Sequence, residues 1–198
     1  MQARSLTEQE INTAVSYAMQ HTGKWALRNR MLLLLSHWTG MRVCEIASLR
    51  LRHVLDVRGE VLADIELTAS ETKGRKGRRV VLPQKAQTEL RNYIRRQFQL
   101  KSLSGIAYQQ GHLPLFATQK CNAFTANVLT QTFSQLYRRA GLTGATSHSG
   151  RRSFLTNLSQ RGANPRALQI LAGHRSLQTT MRYIDVNDNL LRSVAELI

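Results

Sequence analysis

Met31–Leu35 is the longest clearly apolar run in the chain, and it lies within a helical segment over about residues 25–39 that Gly40 ends. Leu32–Leu35 make that helix apolar nearly all round, so it has no face to give to water and must form the centre of a core. The run is far short of the roughly 20 apolar residues a membrane span requires. The start, MQARSLTEQE, has no signal-peptide stretch, and 198 residues suffice for one domain with a real core.

The other elements read as partners for this helix. Thr7 and Glu10 form a T-x-x-E capping box, opening a helix with Ile11, Val15 and Ala18 on one face. A short helix is expected over about 43–49, then strand character over about 52–82. Ile65, Leu67, Val80, Val81 and Leu82 are its apolar parts, Gly74 and Gly77 mark a turn, and Pro83 stops it. Helix resumes over about 84–100, with Ala86, Leu90, Ile94 and Phe98 inward. A loop over about 101–123 precedes a helix from Thr125 to Ala140, with Leu129, Phe133, Leu136 and Ala140 inward. Helices over about 149–161, 165–172 and 176–183 follow, then a short one from about 187. The expected fold is α+β: predominantly helical, with a small antiparallel three-stranded sheet, in one domain spanning 1–198. Trp25 and Trp38 are expected in the core; His21, His37, His53 and His112 look incidental.

The formal net charge is +16, from 28 basic and 12 acidic residues, which favours a polyanionic partner. The charge is clustered: Lys73 to Arg79 carries five positive charges in seven residues. Arg91, Arg95, Arg96, Arg138, Arg139, Arg151 and Arg152 follow, whereas Asp185, Asp188 and Glu196 outnumber Arg192 after Tyr183, so that tail is not expected to touch nucleic acid. Cys44 and Cys121 are far apart; a disulfide framework is not expected, and a reducing cytosol fits.

Two C-terminal segments carry the chemistry. His148 and Arg151, three residues apart, fall on adjacent helical turns facing one way. A guanidinium can grip two phosphate oxygens while an imidazole moves a proton near neutral pH. Alone, such a pair is more often a cap or surface charge. The second segment runs from Leu171 through Gly173-His174 and Thr179-Thr180 to Tyr183. Alone, its tyrosine would more often be core and its histidine a helix stop.

Together these boxes resemble those of the tyrosine recombinases, or phage-type integrases. The family's H-x-L-R-H-x-F-A-T appears as His148 to Thr156, and its L-G-H-x-x-x-x-T-T-x-x-Y as Leu171 to Tyr183. T-G-x-R-x-x-E-L appears as Thr39-Gly40-Met41-Arg42 to Glu45-Ile46, and the lysine-bearing hairpin as Lys73 to Pro83. The four boxes cover nearly everything from Thr39 to Tyr183. Departures are Gly150 for the usual Leu, expected to loosen that helix start, Ala172 for a common Gly, and Asp185 where members often have His.

The resemblance implies a catalytic domain that cuts and rejoins DNA through a 3'-phosphotyrosine. It makes Tyr183 the nucleophile, and Arg42 and Arg151 the clamps on the nonbridging oxygens. His174 becomes a hydrogen-bond donor to the same phosphate, His148 a proton acceptor, and Lys73 the general acid. Glu45 would orient the cluster. Lys76 remains an alternative acid. Arg75, Lys76, Arg78, Arg79, Arg152 and Arg175 are candidate DNA contacts, with a merely solvated side chain as the alternative for Arg75, Arg78 and Arg79. No cofactor, metal, ATP or membrane is expected. The implied partners are double-stranded DNA, accessory DNA-bending proteins and further copies in a homo-tetramer, with a monomer when free. The tail over about 184–198, with Leu190, Leu191, Val194 and Leu197 in a stripe, would dock on a neighbouring subunit or fold back on its own domain. Only about 38 residues precede Thr39, so no separate core-binding domain is expected ahead of it. A type IB topoisomerase-like relaxing enzyme and a noncatalytic DNA-binding regulator are the alternatives.

Overall fold

The fold is described from a computed structural model over residues 3–72, 77–100, 102–184, 191–192 and 195–196. Helix α2 (Ala26–Thr39) is its axis: Met31, Leu32, Leu33 and Leu35 expose no surface. Against it pack α1 (Glu8–His21), α5 (Gln84–Gln97) and α8 (Ser149–Gln160). Each fully buried leucine stabilises by about 1.5–3 kcal/mol relative to exposure, before the chain's ordering entropy is set against it.

The helix ends obey their sequence signals. Thr7 accepts from the Glu10 amide at 3.2 Å, and the Glu10 carboxylate accepts from the Thr7 amide at 2.9 Å. Helix α7 (Ala126–Arg139) starts at Thr125, whose hydroxyl accepts from the Val128 amide. Helix α2 ends at Gly40, which has φ 61°. The Cβ position of Gly40 lies 2.5 Å from the Phe154 ring, so only glycine fits both the turn and the packing.

The stretch expected as strand departs from that reading. It opens with a single helical turn, α3 (Val43–Ser48) being followed by α4 (Leu51–Val54). Among the described residues the sheet has two strands rather than three. Strand β1 (Asp64–Leu67) pairs antiparallel with β2 (Arg78–Val81), with Ile65 opposite Val80 and Leu67 opposite Arg78. A third strand is cut to one bridge, Leu55 to Val61. The chain between them turns too tightly for more: Gly59 has φ 81°, and the Asp56 carboxylate accepts from the Arg58 and Glu60 amides. The expected loop over 101–123 also contains one helical turn, α6 (Ile106–Gln109).

Two tryptophans expected in the core are only half-buried. Trp25 lies under the Arg28 guanidinium at 4.4 Å and Trp38 under the Lys85 ammonium at 4.8 Å, which leaves their rings at the boundary. The C-terminal unit has its own small core. Leu155 of α8 packs with Leu168 and Ala172 of α9 (Pro165–Ala172), and Tyr183 and Ile184 lie against them beyond α10 (Leu177–Met181). Of the expected tail stripe, Leu191 is exposed; Leu190, Val194 and Leu197 lie outside the described residues. Among the described residues no helix is long and apolar enough to cross a membrane.

Gly150 does not loosen α8. It is buried where α8 crosses α2, and its Cβ position lies 2.1 Å from the Ser36 hydroxyl and 2.9 Å from the Ser36 Cβ. The two helices approach closely because no side chain separates them. Gly150→Ala is therefore expected to lower stability by about 1–3 kcal/mol through overpacking, read from the urea midpoint.

His37 is structural rather than incidental. It is 6% exposed, its Nε2 meets the Tyr137 hydroxyl at 3.2 Å, and its Nδ1 has no partner. Burial pushes its pKa from 6.5 down to about 4, so the native state holds it neutral. Between those values the unfolded chain binds a proton that the native chain refuses, so stability falls as pH drops. Lowering pH from 7.5 to 5 should cost about 2 kcal/mol from this residue. Urea titrations at both pH values should show that loss shrink in His37→Gln.

Candidate active site

Helix α9 stops after Ala172 because Gly173 turns left-handed, with φ 62°. Its last carbonyls are left without helical donors, and it presents the negative end of its dipole. Three arginines from three distant parts of the chain meet there. Arg78 Nη1 donates to the Leu171 carbonyl at 2.7 Å, Arg151 Nη2 to Ala172 at 2.7 Å, and Arg42 Nη2 to Gly173 at 2.9 Å. Arg151 Nη1 also donates to the Gly40 carbonyl at 2.7 Å, tying the end of α2 to the end of α9.

One carboxylate organises this positive cluster. Glu45 on α3 is wholly buried. It accepts from the Arg42 amide at 2.7 Å and Arg42 Nη1 at 2.9 Å, and from Arg78 Nε at 3.0 Å and Arg78 Nη2 at 2.8 Å. Burial alone would raise its pKa; the adjacent Arg78 and Arg42 charges outweigh that and hold it below the usual carboxylate range. Three guanidiniums thus face one carboxylate, and the positive surplus shows in the neighbours. Burial, then Arg42 and Arg78, push the Arg151 pKa down to about 10. His174 falls to about 4 through burial first, then the three arginines, so it is neutral at pH 7. Such a cluster is arranged to accept an anion.

The imidazole and the phenol sit beside it. His174 Nδ1 lies 2.9 Å from the buried Thr180 hydroxyl. Its backbone is held by Gln169, whose carbonyl accepts the His174 amide at 3.0 Å and whose Nε2 donates to the His174 carbonyl at 3.1 Å. The Tyr183 ring stacks on the His174 ring, with centroids 5.6 Å apart and planes at 20°. The Arg152 guanidinium lies 5.6 Å from the Tyr183 centroid. Tyr183 also contributes to the electrostatics of Arg151. Arg42, Glu45, Arg151, His174 and Tyr183 therefore share one locus.

The remaining candidates divide. His148 is the exposed N-cap of α8, with its amide donating to the Thr146 hydroxyl at 3.3 Å. It stands at the start of the helix that buries Arg151, so the two differ in exposure although they are one turn apart. Arg175 is exposed just before α10. Lys73, Arg75 and Lys76 lie outside the described residues. Arg79 projects from the sheet and pairs with Asp64 at 2.5 Å. Arg78 is not a solvated cation: its side chain is 9% exposed and donates to Glu45 and to the Leu171 carbonyl. Period-two alternation carried the signal, since Arg78 shares the face of buried Val80 and Leu82. Thr180 and Gln169, which hold His174, were not among the candidates.

Among the described residues no group of three or more His, Cys, Asp or Glu is placed to hold a metal ion. The cavity of about 630 Å³ between α1, α7 and the start of α2 lies away from the arginine cluster. Both cysteines are free. Removing the organising carboxylate should be costly. Glu45→Ala leaves Arg42 and Arg78 without their acid and is expected to lower stability by about 3–5 kcal/mol, measured by urea unfolding.

Known proteins carry the same arrangement of elements. The tyrosine recombinase XerA of Pyrococcus furiosus is 28% identical over 193 residues, covering 98% of this chain and 61% of that protein. The crystal structure of XerA recombinase superposes with TM-score 0.73 at 22% identity, over 100% of this chain and 65% of that one. XerH site-specific recombinase, bound to a palindromic difH substrate in a post-cleavage complex, gives TM-score 0.68 at 24% identity, over 96% of this chain and 51% of that one. This chain thus spans about half to two thirds of the length of these proteins. The phage integrase family matches residues 4–189, and with the arginine cluster, His174 and Tyr183 gathered as described, the chain belongs to that family as a tyrosine recombinase catalytic domain.

Proposed function

We propose that this domain cleaves and rejoins duplex DNA at specific sites through a covalent bond between Tyr183 and a 3'-phosphate. The observation that carries the reading is the convergence of three guanidiniums on the last carbonyls of α9, two of them also bonded to one buried carboxylate, beside a half-buried phenol stacked on a neutral imidazole. A pocket with surplus positive charge and an adjacent nucleophile suits a phosphodiester. The XerH complex with its DNA substrate supports the choice of polymer.

In the proposed step the Tyr183 oxygen bonds to phosphorus and the bond from phosphorus to the 5'-oxygen breaks. Arg42 and Arg151 each make carbonyl bonds that fix their guanidiniums and direct further N–H groups to the nonbridging oxygens, where charge grows. His174 serves as a neutral donor. In the tautomer whose Nδ1 accepts from Thr180, the ring proton sits on Nε2 and is the one offered to the phosphate. His148, at the exposed start of α8, takes the phenol proton. Lys73, or Lys76 in the same hairpin, supplies a proton to the departing 5'-oxygen. The reverse sequence rejoins the strand and conserves bond energy, so no ATP is consumed. Two duplexes exchange strands through a Holliday junction in a tetramer of this chain, with accessory DNA-bending proteins, and the free protein is a monomer.

The test uses a pool of duplexes carrying a randomised segment and a nick, incubated with wild type and with Tyr183→Phe. Wild type should give DNA-linked protein that survives denaturing electrophoresis. Tyr183→Phe should retain binding within about threefold and lose the adduct, a drop of more than a thousandfold if the phenol is the nucleophile. An adduct of equal yield in both proteins would refute the assignment.

A further inference from the structure

We infer that Arg78 is a positioning residue for the cleavage step: by occupying both oxygens of Glu45 it releases the Arg42 guanidinium for phosphate, and it ties strand β2 to that clamp. The inference rests on the proposed phosphotyrosine chemistry and deepens it. Three observations carry it. First, Arg78 reaches Glu45 as a fork, through Nε to one oxygen and Nη2 to the other, whereas Arg42 gives its side chain a single bond to Glu45. A buried carboxylate demands full compensation, so without Arg78 it would draw the Arg42 fork inward and away from any ligand. Second, the remaining Arg78 arm holds the Leu171 carbonyl, one residue from the Ala172 carbonyl that Arg151 holds. Its aliphatic stem lies against Gly173, whose Cβ position is 2.7 Å from Arg78 Cδ, so the turn that presents His174 is shaped around this side chain. Third, Arg78 opens β2, paired with Leu67. It follows Lys73 by five positions and Lys76 by two. Gly77, whose Cβ position lies 2.8 Å from the Leu67 carbonyl, admits the chain to the strand at that point. Strand β2 is thus joined to Glu45 and to the end of α9 through this one side chain.

An ordinary structural arginine would affect folding and binding alike, whereas a positioning one separates rate from affinity. The experiment measures, for wild type, Arg78→Gln and Arg78→Lys, the adduct-forming rate at saturating DNA, the Kd and the melting temperature. The substrate is the duplex recovered from the wild-type adduct. Arg78→Lys keeps the charge and loses the fork, and it decides the matter where Arg78→Gln fails to fold. Expected are saturating rates at least tenfold lower for Arg78→Gln and at least fivefold lower for Arg78→Lys, with Kd for the folded variants within about threefold of wild type. A saturating rate within twofold of wild type in a folded variant overturns the inference and leaves the phosphotyrosine reading intact. Equal losses in rate and affinity also overturn it, because they mark a general structural role. Absence of any adduct from wild type itself overturns the underlying reading, and this inference with it.

Discussion

A buried carboxylate surrounded by guanidiniums is the constraint on which the rest of the molecule depends. Glu45 has no exposed surface and four donors, all from Arg42 and Arg78. Desolvating an ion is expensive, and the low dielectric that makes it so also strengthens attraction to its partners. The result is a rigid junction between α3, β2 and the end of α9, elements far apart in sequence. Because the arginines outnumber the acid, the junction holds together with positive charge in excess. Fold and chemistry share one set of contacts.

Much of this was legible in the residues. The apolar Met31–Leu35 run foretold the central helix, and Thr7 with Glu10, Thr125 and Gly40 marked helix ends that occur where expected, because capping and left-handed turns are local chemistry. The four boxes contain Arg42, Glu45, Arg151, His174 and Tyr183, which lie near one another in the fold. What failed was non-local. The number of strands depended on how sharply residues 55–61 turn, and Gly150 read as a weak point until the facing Ser36 was known. His37 looked incidental because nothing nearby in sequence announces a tyrosine a hundred residues later. Arg78 stands in a run of five cations in seven residues, which suggests a solvated patch, while strand alternation turns this one inward.

The two imidazoles near the cluster differ in ways the surroundings explain. His174 sits among arginines, half out of water, and so stays neutral well into acid. His148 stands exposed at a helix start. Tyr183 belongs to a small core of its own with Leu155, Leu168 and Ala172, rather than to the main one around α2. Tyr183 therefore rests on a modest patch of side chains at the edge of the molecule, where local opening is cheaper than in the centre.

The shared ownership of Glu45 bears on how such a sequence can drift. Losing the acid leaves surplus cations crowded together; losing either cation strands the acid in a dry interior. Neutral paths through sequence space therefore favour paired replacement at positions 42, 45 and 78, and kinship at this site should be sought in correlated changes rather than in any one letter.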